Sequence, residues 1–394
     1  TAYEIRLSLV GSEMCIRDRC WSQRTRTSEG LPTGLRRTLD SHTAHAQPVT
    51  IHLSGQLTAA IGWASSRDPL ADGPALLART AQLWDQDPTN GVGAFVPGTF
   101  SDAIMPYFEG APNARFVARA QDTYRSWLGF AQPGRVFWIP ERVASGATLT
   151  EVAALGFTHT VLDRTHLETW FGGGTGGPAS LDGRLHKVNG VTCFIVDPTQ
   201  SLFAQTDGGP DKKLRTLLLE RALDPDPNQA VVIVADWEEF AGHKGNPDVP
   251  DVYDRTLAWL SQRPWIELAT LEDLAGRAWP VVDHGAPTTS TSGMPVETHE
   301  WLRHACEGSY DNWVYGHPLE ESLASLRPIV RHGRPFTRVM GDVRTPGTLL
   351  GDAWARIQAA PQGALRDLAE VSLASALYRT GWHLEDMHDT TRLT

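Results

Sequence analysis

The stretch Arg135-Val-Phe-Trp-Ile-Pro-Glu-Arg142 decides how this chain folds, because a buried strand runs directly into a carboxylate. Residues 136–139 form a continuous apolar run, which is typical of a parallel strand buried on both faces. Pro140 has no backbone N–H to donate, so strand pairing is expected to stop there. Glu141 is therefore predicted to stand just beyond the end of a buried strand.

A second stretch further along the chain has the same design. Ala230-Val-Val-Ile-Val-Ala235 is equally apolar and runs into Asp236-Trp-Glu-Glu-Phe240. Two buried parallel strands that each carry an acid at the C-terminal end are what an α/β barrel uses to build an active site. We therefore predict that Glu141 and Asp236 face each other across one cleft.

The composition is that of a globular protein with a neutral ligand. The chain has 394 residues, of which 41% are hydrophobic and 21% charged, enough for one large domain and a smaller one. The net charge of -11 argues against nucleic-acid and anionic-membrane partners, and no apolar run is long enough to span a bilayer. The four cysteines form no C-x-x-C pair, which favours a reducing, cytoplasmic location.

Strand and helix patterns alternate along most of the chain, which indicates parallel pairing through right-handed crossovers. We predict an α/β fold: a (β/α)7-type parallel barrel at 20–279, a linker at 280–296 and a C-terminal helical subdomain at 297–394. Strands are predicted at 49–54, 91–96, 135–139, 157–162, 193–196, 230–235 and 266–271. Helices are predicted at 35–39, 74–84, 111–128, 148–155, 212–223, 252–261, 320–330, 349–359 and 364–382.

The first nineteen residues are expected not to belong to the natural protein. Residues 1–19 resemble the conceptual translation of a sequencing adapter, and such segments are excluded from fold reasoning. The alternative is a genuine amphipathic leader. On the first interpretation the natural first strand of the barrel is missing from this sequence.

The paired acids indicate chemistry on glycosidic bonds. Cleavage with retention needs one carboxylate as nucleophile and one carboxylic acid to protonate the leaving oxygen, about 5 to 5.5 Å apart. Trp138 and Trp237 lie beside the two acids, where indole rings would stack on sugars and exclude water. A retaining enzyme of this kind uses its two carboxyl groups without a metal or organic cofactor, and none is expected here. An H-x-x-x-H pattern of metal ligands is missing from the strands, which argues against a metal-dependent polysaccharide deacetylase.

These residues carry a family resemblance. Trp138-Ile-Pro-Glu-Arg-Val143, and Asp236-Trp-Glu-Glu-Phe240 followed by Gly242-His243, resemble the third and fourth signature motifs of glycoside hydrolase family 57. That family contains α-glucan-acting amylases, branching enzymes and 4-α-glucanotransferases. The resemblance implies a (β/α)7 barrel followed by helices. It also implies a retaining α-glucan hydrolase or glucanotransferase, with Glu141 as nucleophile and Asp236 as general acid/base.

The other family motifs match less fully. The opening His-Gln-Pro motif is absent, and His45-Ala-Gln-Pro48 stands before what looks like the second strand. Gly91-Val-Gly-Ala94 lacks the Glu of the second motif, and Ala241 is an extra residue before the Gly-His pair. Tyr310 to His317, which includes Trp313, is the candidate for a contribution to sugar binding from the helical subdomain.

Several interpretations stay open at this point. Glu141 has the alternative of a buried ion pair with Arg142, and Asp236 that of a strand-end capping residue. The glycine-rich run 172–177 is either a lid or a flexible connector. The whole chain is alternatively a metal-dependent polysaccharide deacetylase or a non-catalytic glycan-binding protein, and the oligomeric state is left open. Substrate contacts are predicted for Trp138, Trp237, Glu238, His243, Asp163 and Trp313.

Overall fold

A computed structural model describes residues 5–12 (backbone), 34–64, 73–85, 93–100, 105, 110–129, 134–171, 183–196, 212–226, 228–237, 248–287 and a few positions between 356 and 369. Its strands are β1 Ile5–Ser12, β2 Val49–Ile51, β3 Gly93–Phe95, β4 Val136–Phe137, β5 His159–Asp163, β6 Leu185–Val188, β7 Val191–Val196, β8 Gln229–Asp236, β9 Ile266–Leu268 and β10 Val281–Gly285. Its helices are α1 Leu35–His45, α2 Gly55–Ala64, α3 Gly73–Asp85, α4 Ala111–Leu128, α5 Gly146–Ala154, α6 Arg164–Phe171, α7 Lys212–Leu223, α8 Val249–Ser261 and α9 Leu271–Ala275.

The strands form one mixed sheet built on a parallel path. In space the path runs β3-β2-β1-β8-β7-β5-β4, and every pairing along it is parallel. Strand β9 also pairs with β1, while β6 pairs antiparallel with β7 and carries β10 on its other side. The predicted α/β class with parallel pairing is thus confirmed.

The two ends of this path approach each other just beyond their last paired residues. The backbone N–H of Trp138, after β4, donates to the carbonyl of Pro97, after β3, at 2.8 Å. A backbone bond of this kind is what a closing barrel makes between its terminal strands, because closure leaves no free edge. A complete (β/α)7 barrel stays a prediction.

The helices cover one face of the sheet, and the other face packs against itself. On the helix-covered face, three apolar clusters pack helices against the strands. The first contains α1, α2, α3 and α4, the second α5 and α6, and the third α7 and α8. The opposite face carries what we call the central cluster: Val96, Val136, Trp138, Val161, Leu185, Phe194, Val232, Ala269, Leu271 and Leu274. Apart from α9 at one end, no described helix contributes to the central cluster.

The stretch that includes Glu141 is buried on both faces, as predicted. Val136 and Trp138 belong to the central cluster, while Phe137 and Ile139 pack against α5 and α6 on the other face. This is the two-residue alternation of an extended chain. It extends past the two residues of β4 that pair with β5, so the backbone stays extended up to Pro140.

The cap of α5 differs from the prediction. Thr148 and Glu151 have capping-box spacing, but the box in the structure is formed by Ser145 and Thr148. The Ser145 hydroxyl accepts from the Thr148 N–H at 3.1 Å, so the helix begins earlier than predicted. The Glu151 carboxylate instead accepts from the Asn113 side chain and the Gly110 N–H, which ties α5 to the start of α4.

The predicted domain boundaries fall mostly outside the described residues. The predicted linker at 280–296 begins with β10, and the helical subdomain at 297–394 is described at only a few positions. The first-strand position, predicted to be empty, is occupied by Ile5–Ser12, which pairs with β8 over its full length. The origin of residues 1–19 and the domain boundaries stay predictions.

Candidate active site

Glu141 and Asp236 follow strands that end at the same edge of the sheet. Asp236 is the last residue of β8, and Glu141 lies in the 3-10 turn Pro140–Arg142, which follows β4. Strands β4, β5, β7 and β8 are successive neighbours and all parallel, so their C-terminal ends share one edge. The side chains of Glu141 and Asp236 lie outside the described residues.

Strand alternation separates the residues near β8 by face. Val232 and Val234 pack in the central cluster, while Val231 and Ile233 face α7 and α8. Position 236 is therefore on the central face of the strand and position 237 is on the helix-covered face. In agreement, Trp237 is buried in the cluster formed with α1 to α4, away from Trp138.

His52 contacts Trp138 at this edge and was not among the predicted site residues. The two rings are stacked, with centroids 5.5 Å apart and planes inclined by 26°. The Nδ1–H of His52 donates to the carbonyl of Val96 at 2.9 Å, which orients the Nε2 atom. Val49, Ile51 and Leu53 face the helices, so strand alternation puts His52 on the central face. This alternation was the sequence signal that could have identified His52 as a candidate site residue.

Arg142 and Asp163 form a buried ion pair beside the same indole ring. The Nε–H of Arg142 donates to Oδ1 of Asp163 at 2.8 Å, and the two side chains are 12% and 9% exposed. The guanidinium carbon of Arg142 lies 5.7 Å from the centroid of the Trp138 ring. The predicted residues Trp138 and Asp163 are thus brought together, with Arg142 between them.

Several buried polar atoms near this edge have no hydrogen-bond partner among the described residues. They include Oδ2 of Asp163, at the end of β5, and Oγ1 of Thr99, after β3. Such atoms are costly to bury, so they are expected to bind water or a ligand hydroxyl. Other buried polar atoms of this kind lie beneath α1 and at the start of β8.

His166, in the first turn of α6, is a neutral imidazole beside this ion pair. Its Nδ1 atom lies 3.1 Å from the carbonyl oxygen of Asp163. Burial lowers the pKa of His166 to about 4, with a smaller opposing effect from the Asp163 carboxylate. The Asp-x-x-His spacing across the start of α6 was the sequence signal that would have found this residue.

The remaining predicted site residues cannot be placed. Glu238, His243, Trp313 and the glycine-rich run 172–177 all lie outside the described residues. Within the described ranges, no group of three or more His, Cys, Asp or Glu side chains has the geometry to hold a metal ion. No helix in those ranges is long and apolar enough to cross a membrane.

Solved structures that align with this chain include a 4-α-glucanotransferase and branching enzymes of glycoside hydrolase family 57. The 4-α-glucanotransferase from Thermococcus litoralis aligns with a TM-score of 0.57 and 14% identity over 90% of this chain. In fold, this chain resembles glycoside hydrolase family 57. A family 57 branching enzyme from Pyrococcus horikoshii gives 0.53 and 11% over 97% of this chain and 87% of its own. The branching enzyme from Thermococcus kodakaraensis gives 0.50 and 13%, over 96% and 95%.

The resemblance to family 57 that the two motifs indicated is thus supported by structure. It is a resemblance of fold, because the identities are low and the sequence matches no protein-family model and no curated protein. The chain spans half the length of the Thermococcus litoralis protein.

Proposed function

We propose that this protein is a retaining enzyme that hydrolyses or transfers α-glucosyl units of an α-glucan or oligosaccharide. Glu141 is the nucleophile and Asp236 the general acid/base, with no cofactor. The observation that carries the proposal is that both acids stand at the C-terminal ends of parallel strands, at one edge of a family 57-like sheet. The cysteine pattern supports a cytoplasmic location.

The chemistry follows from two carboxyl groups about 5 to 5.5 Å apart. The Glu141 carboxylate attacks the anomeric carbon while the Asp236 carboxyl gives its proton to the glycosidic oxygen, and the C1–O bond breaks. Asp236, now a carboxylate, takes a proton from water or from an acceptor sugar hydroxyl. The oxygen of that molecule then displaces Glu141 from the anomeric carbon. Two inversions at one carbon give net retention.

A buried polar atom at the end of β5 supports a sugar-binding role for Asp163. Oδ1 of Asp163 is engaged by Arg142, while Oδ2 has no hydrogen-bond partner among the described residues. Sugar hydroxyls are donors that match this atom. We further propose, on their positions in sequence, substrate contacts by Trp138, Glu238, His243 and Trp313. The predicted contact by Trp237 is not proposed, because that ring is buried among helices on the other face of the sheet.

Closure of the sheet would bring the two acids across a common cleft. One face of the sheet is covered by helices and the other packs on itself, and Trp138 is bonded to Pro97 across the gap between β3 and β4. This arrangement supports a closed (β/α)7 barrel. On the sequence alone, we propose a linker within 280–296, after β10, and a helical subdomain at 297–394.

The test is turnover of a linear maltooligosaccharide such as maltoheptaose by Glu141→Gln and Asp236→Asn. Each variant is expected to lose several orders of magnitude in kcat. The nucleophile and the acid act together in one step, so removal of either carboxyl group prevents that step. Glu220→Gln, an exposed acid on α7, is the matched control and is expected to keep full activity. Wild-type turnover in either active-site variant would contradict the proposal.

Two other outcomes would point to the alternative functions. Release of acetate from an acetylated polysaccharide, abolished by a chelator, would indicate a metal-dependent deacetylase. Glycan binding in calorimetry without turnover of any α-glucan would indicate a non-catalytic binding protein.

A further inference from the structure

The backbone of Arg142 has a conformation that its residue type disfavours. Its φ is 53°, in the left-handed region, where Cβ crowds the neighbouring carbonyl. Ala46 and Asn189 share this conformation among the described non-glycine residues, and both have ordinary reasons. Ala46 caps the C-terminus of α1, and Asn189 lies in the tight turn between β6 and β7.

Three contacts hold Arg142 in this conformation. Its backbone N–H donates to the carbonyl of Ile139 at 2.9 Å, which closes the turn around Glu141. Its guanidinium is held by the buried Oδ1 of Asp163 and lies over the Trp138 ring. A disfavoured backbone conformation persists only where the surroundings over-determine it, and such residues concentrate at active sites.

We propose that Arg142 is a positioning residue for Glu141. The left-handed backbone at Arg142 sets the direction in which the chain leaves residue 141. The ion pair between Arg142 and Asp163 holds this backbone conformation in place. This role rests on the proposed function, because it assigns Glu141 the nucleophilic attack. Asp163 then acts on Glu141 through Arg142, in addition to any contact of its Oδ2 atom with substrate.

The test compares kcat and KM for maltoheptaose across three variants. Arg142→Gly accepts the left-handed backbone but loses the anchor, and a misplaced nucleophile is expected to lower kcat by about a hundredfold. Asp163→Asn keeps the shape and an oxygen for the Nε–H while removing the charge, and we expect a kcat loss of about tenfold. Arg142→Lys keeps the charge and is expected to lie between wild type and Arg142→Gly. In Arg142→Gly and Arg142→Lys, KM is expected to change by less than about twofold, whereas Asp163→Asn also alters a proposed sugar contact and is therefore read through kcat alone.

The matched control is Glu168→Gln in the exposed pair that Arg164 and Glu168 form on α6. The Nε–O distance there is also 2.8 Å, but the side chains are 28% and 37% exposed, so kcat is expected to be unchanged. A kcat within twofold of wild type in Arg142→Gly, or a loss confined to KM, would overturn the positioning role. If Arg142→Gly does not fold, the same criteria applied to Arg142→Gln, which also loses the charged anchor, decide.

A structural measurement separates this proposal from the proposed function. If the wild type turns over no α-glucan, the proposed function fails. A crystal structure of Asp163→Ala then tests by itself whether the ion pair holds the Arg142 backbone, an effect we call the lock. Departure of residue 142 from the left-handed region in that variant would support the lock. An unchanged φ would overturn it.

Discussion

At the residue scale, the candidate site is organised around the Trp138 ring, on which His52 stacks and beside which the Arg142 guanidinium lies. Glu141, Asp163 and Asp236 are recognisable because each follows an apolar run that reads as a buried strand. His52 becomes significant only through its contact with Trp138, which is distant from it in sequence. Arg142 becomes significant only through its contact with Trp138 and its unusual backbone φ angle. Local sequence patterns do not encode such contacts.

Gly98 tests the packing around His52 and Trp138. A Cβ added there would lie 2.5 Å from Cε1 of His52 and 3.1 Å from the Trp138 carbonyl oxygen. Because the imidazole is stacked and hydrogen-bonded, it has little room to move, and Gly98→Ala is expected to destabilise the fold by about 1 to 3 kcal/mol. Denaturant unfolding measures this change.

Gly93→Ala is the control for that prediction. It lies on the same segment, and its added Cβ would come no closer than 3.3 Å to its nearest neighbour, Cβ of Leu83. A smaller loss of stability is therefore expected than for Gly98→Ala. Equal unfolding midpoints for the two variants would contradict the described packing.

At the element scale, the agreement between predicted and observed helices varies. The bounds of α4 and α7 agree with the prediction, whereas α8 begins at Val249, three residues before its predicted start at residue 252. Helices α2 and α6 were not predicted, because each follows a predicted strand with no intervening loop. Helix α2 begins at Gly55, where the predicted strand ends, and α6 begins immediately after Asp163. Strand β10 was read as linker, because its exposed Val281 and Val282 give no burial pattern.

The strand that leads to Glu141 is also anchored at its start. The Glu272 carboxylate, on α9, accepts from the backbone N–H groups of Arg135 at 2.9 Å and Val136 at 2.8 Å. Glu272→Gln leaves one oxygen to serve two donors, so stability is expected to fall by about 1 to 3 kcal/mol. Guanidinium unfolding, with Glu220→Gln as the exposed control, measures the change; identical midpoints would contradict the anchoring role.

At the scale of the whole molecule, the parallel α/β architecture followed from the alternation of strands and helices. The order of strands in the sheet did not, because pairing is decided by long-range packing. The main surprise is that Ile5–Ser12 lies between β8 and β2 at the first-strand position. Its alternating apolar residues suit a strand, whatever the origin of residues 1–19, which sequencing of the genomic reading frame would establish.

Buried histidines predict acid sensitivity for the whole fold. Burial lowers the pKa of His42 and of His166 to about 4 in the folded protein, against about 6.5 in an unfolded chain. Between these values the unfolded chain binds more protons, so the stabilisation is complete above about pH 6.5 and is lost as pH falls toward 4. The loss is expected to reach at most about 3 kcal/mol per histidine.

Thermal melts between pH 7.5 and 4.5 check this expectation. The His42→Phe variant cannot take up a proton at that position, so its melting temperature is expected to fall less steeply with acid than that of the wild type. Parallel curves for the two proteins would show that His42 does not contribute.

The central claim is that Glu141 attacks the anomeric carbon, and trapping of the covalent intermediate tests it most directly. The protein is incubated with a fluorinated α-glucosyl fluoride that slows the second step, digested, and analysed by mass spectrometry. The account predicts one added glycosyl group on the peptide that contains Glu141, and none in Glu141→Gln. A glycosyl group on any other carboxylate, or the same labelling in Glu141→Gln, would contradict it.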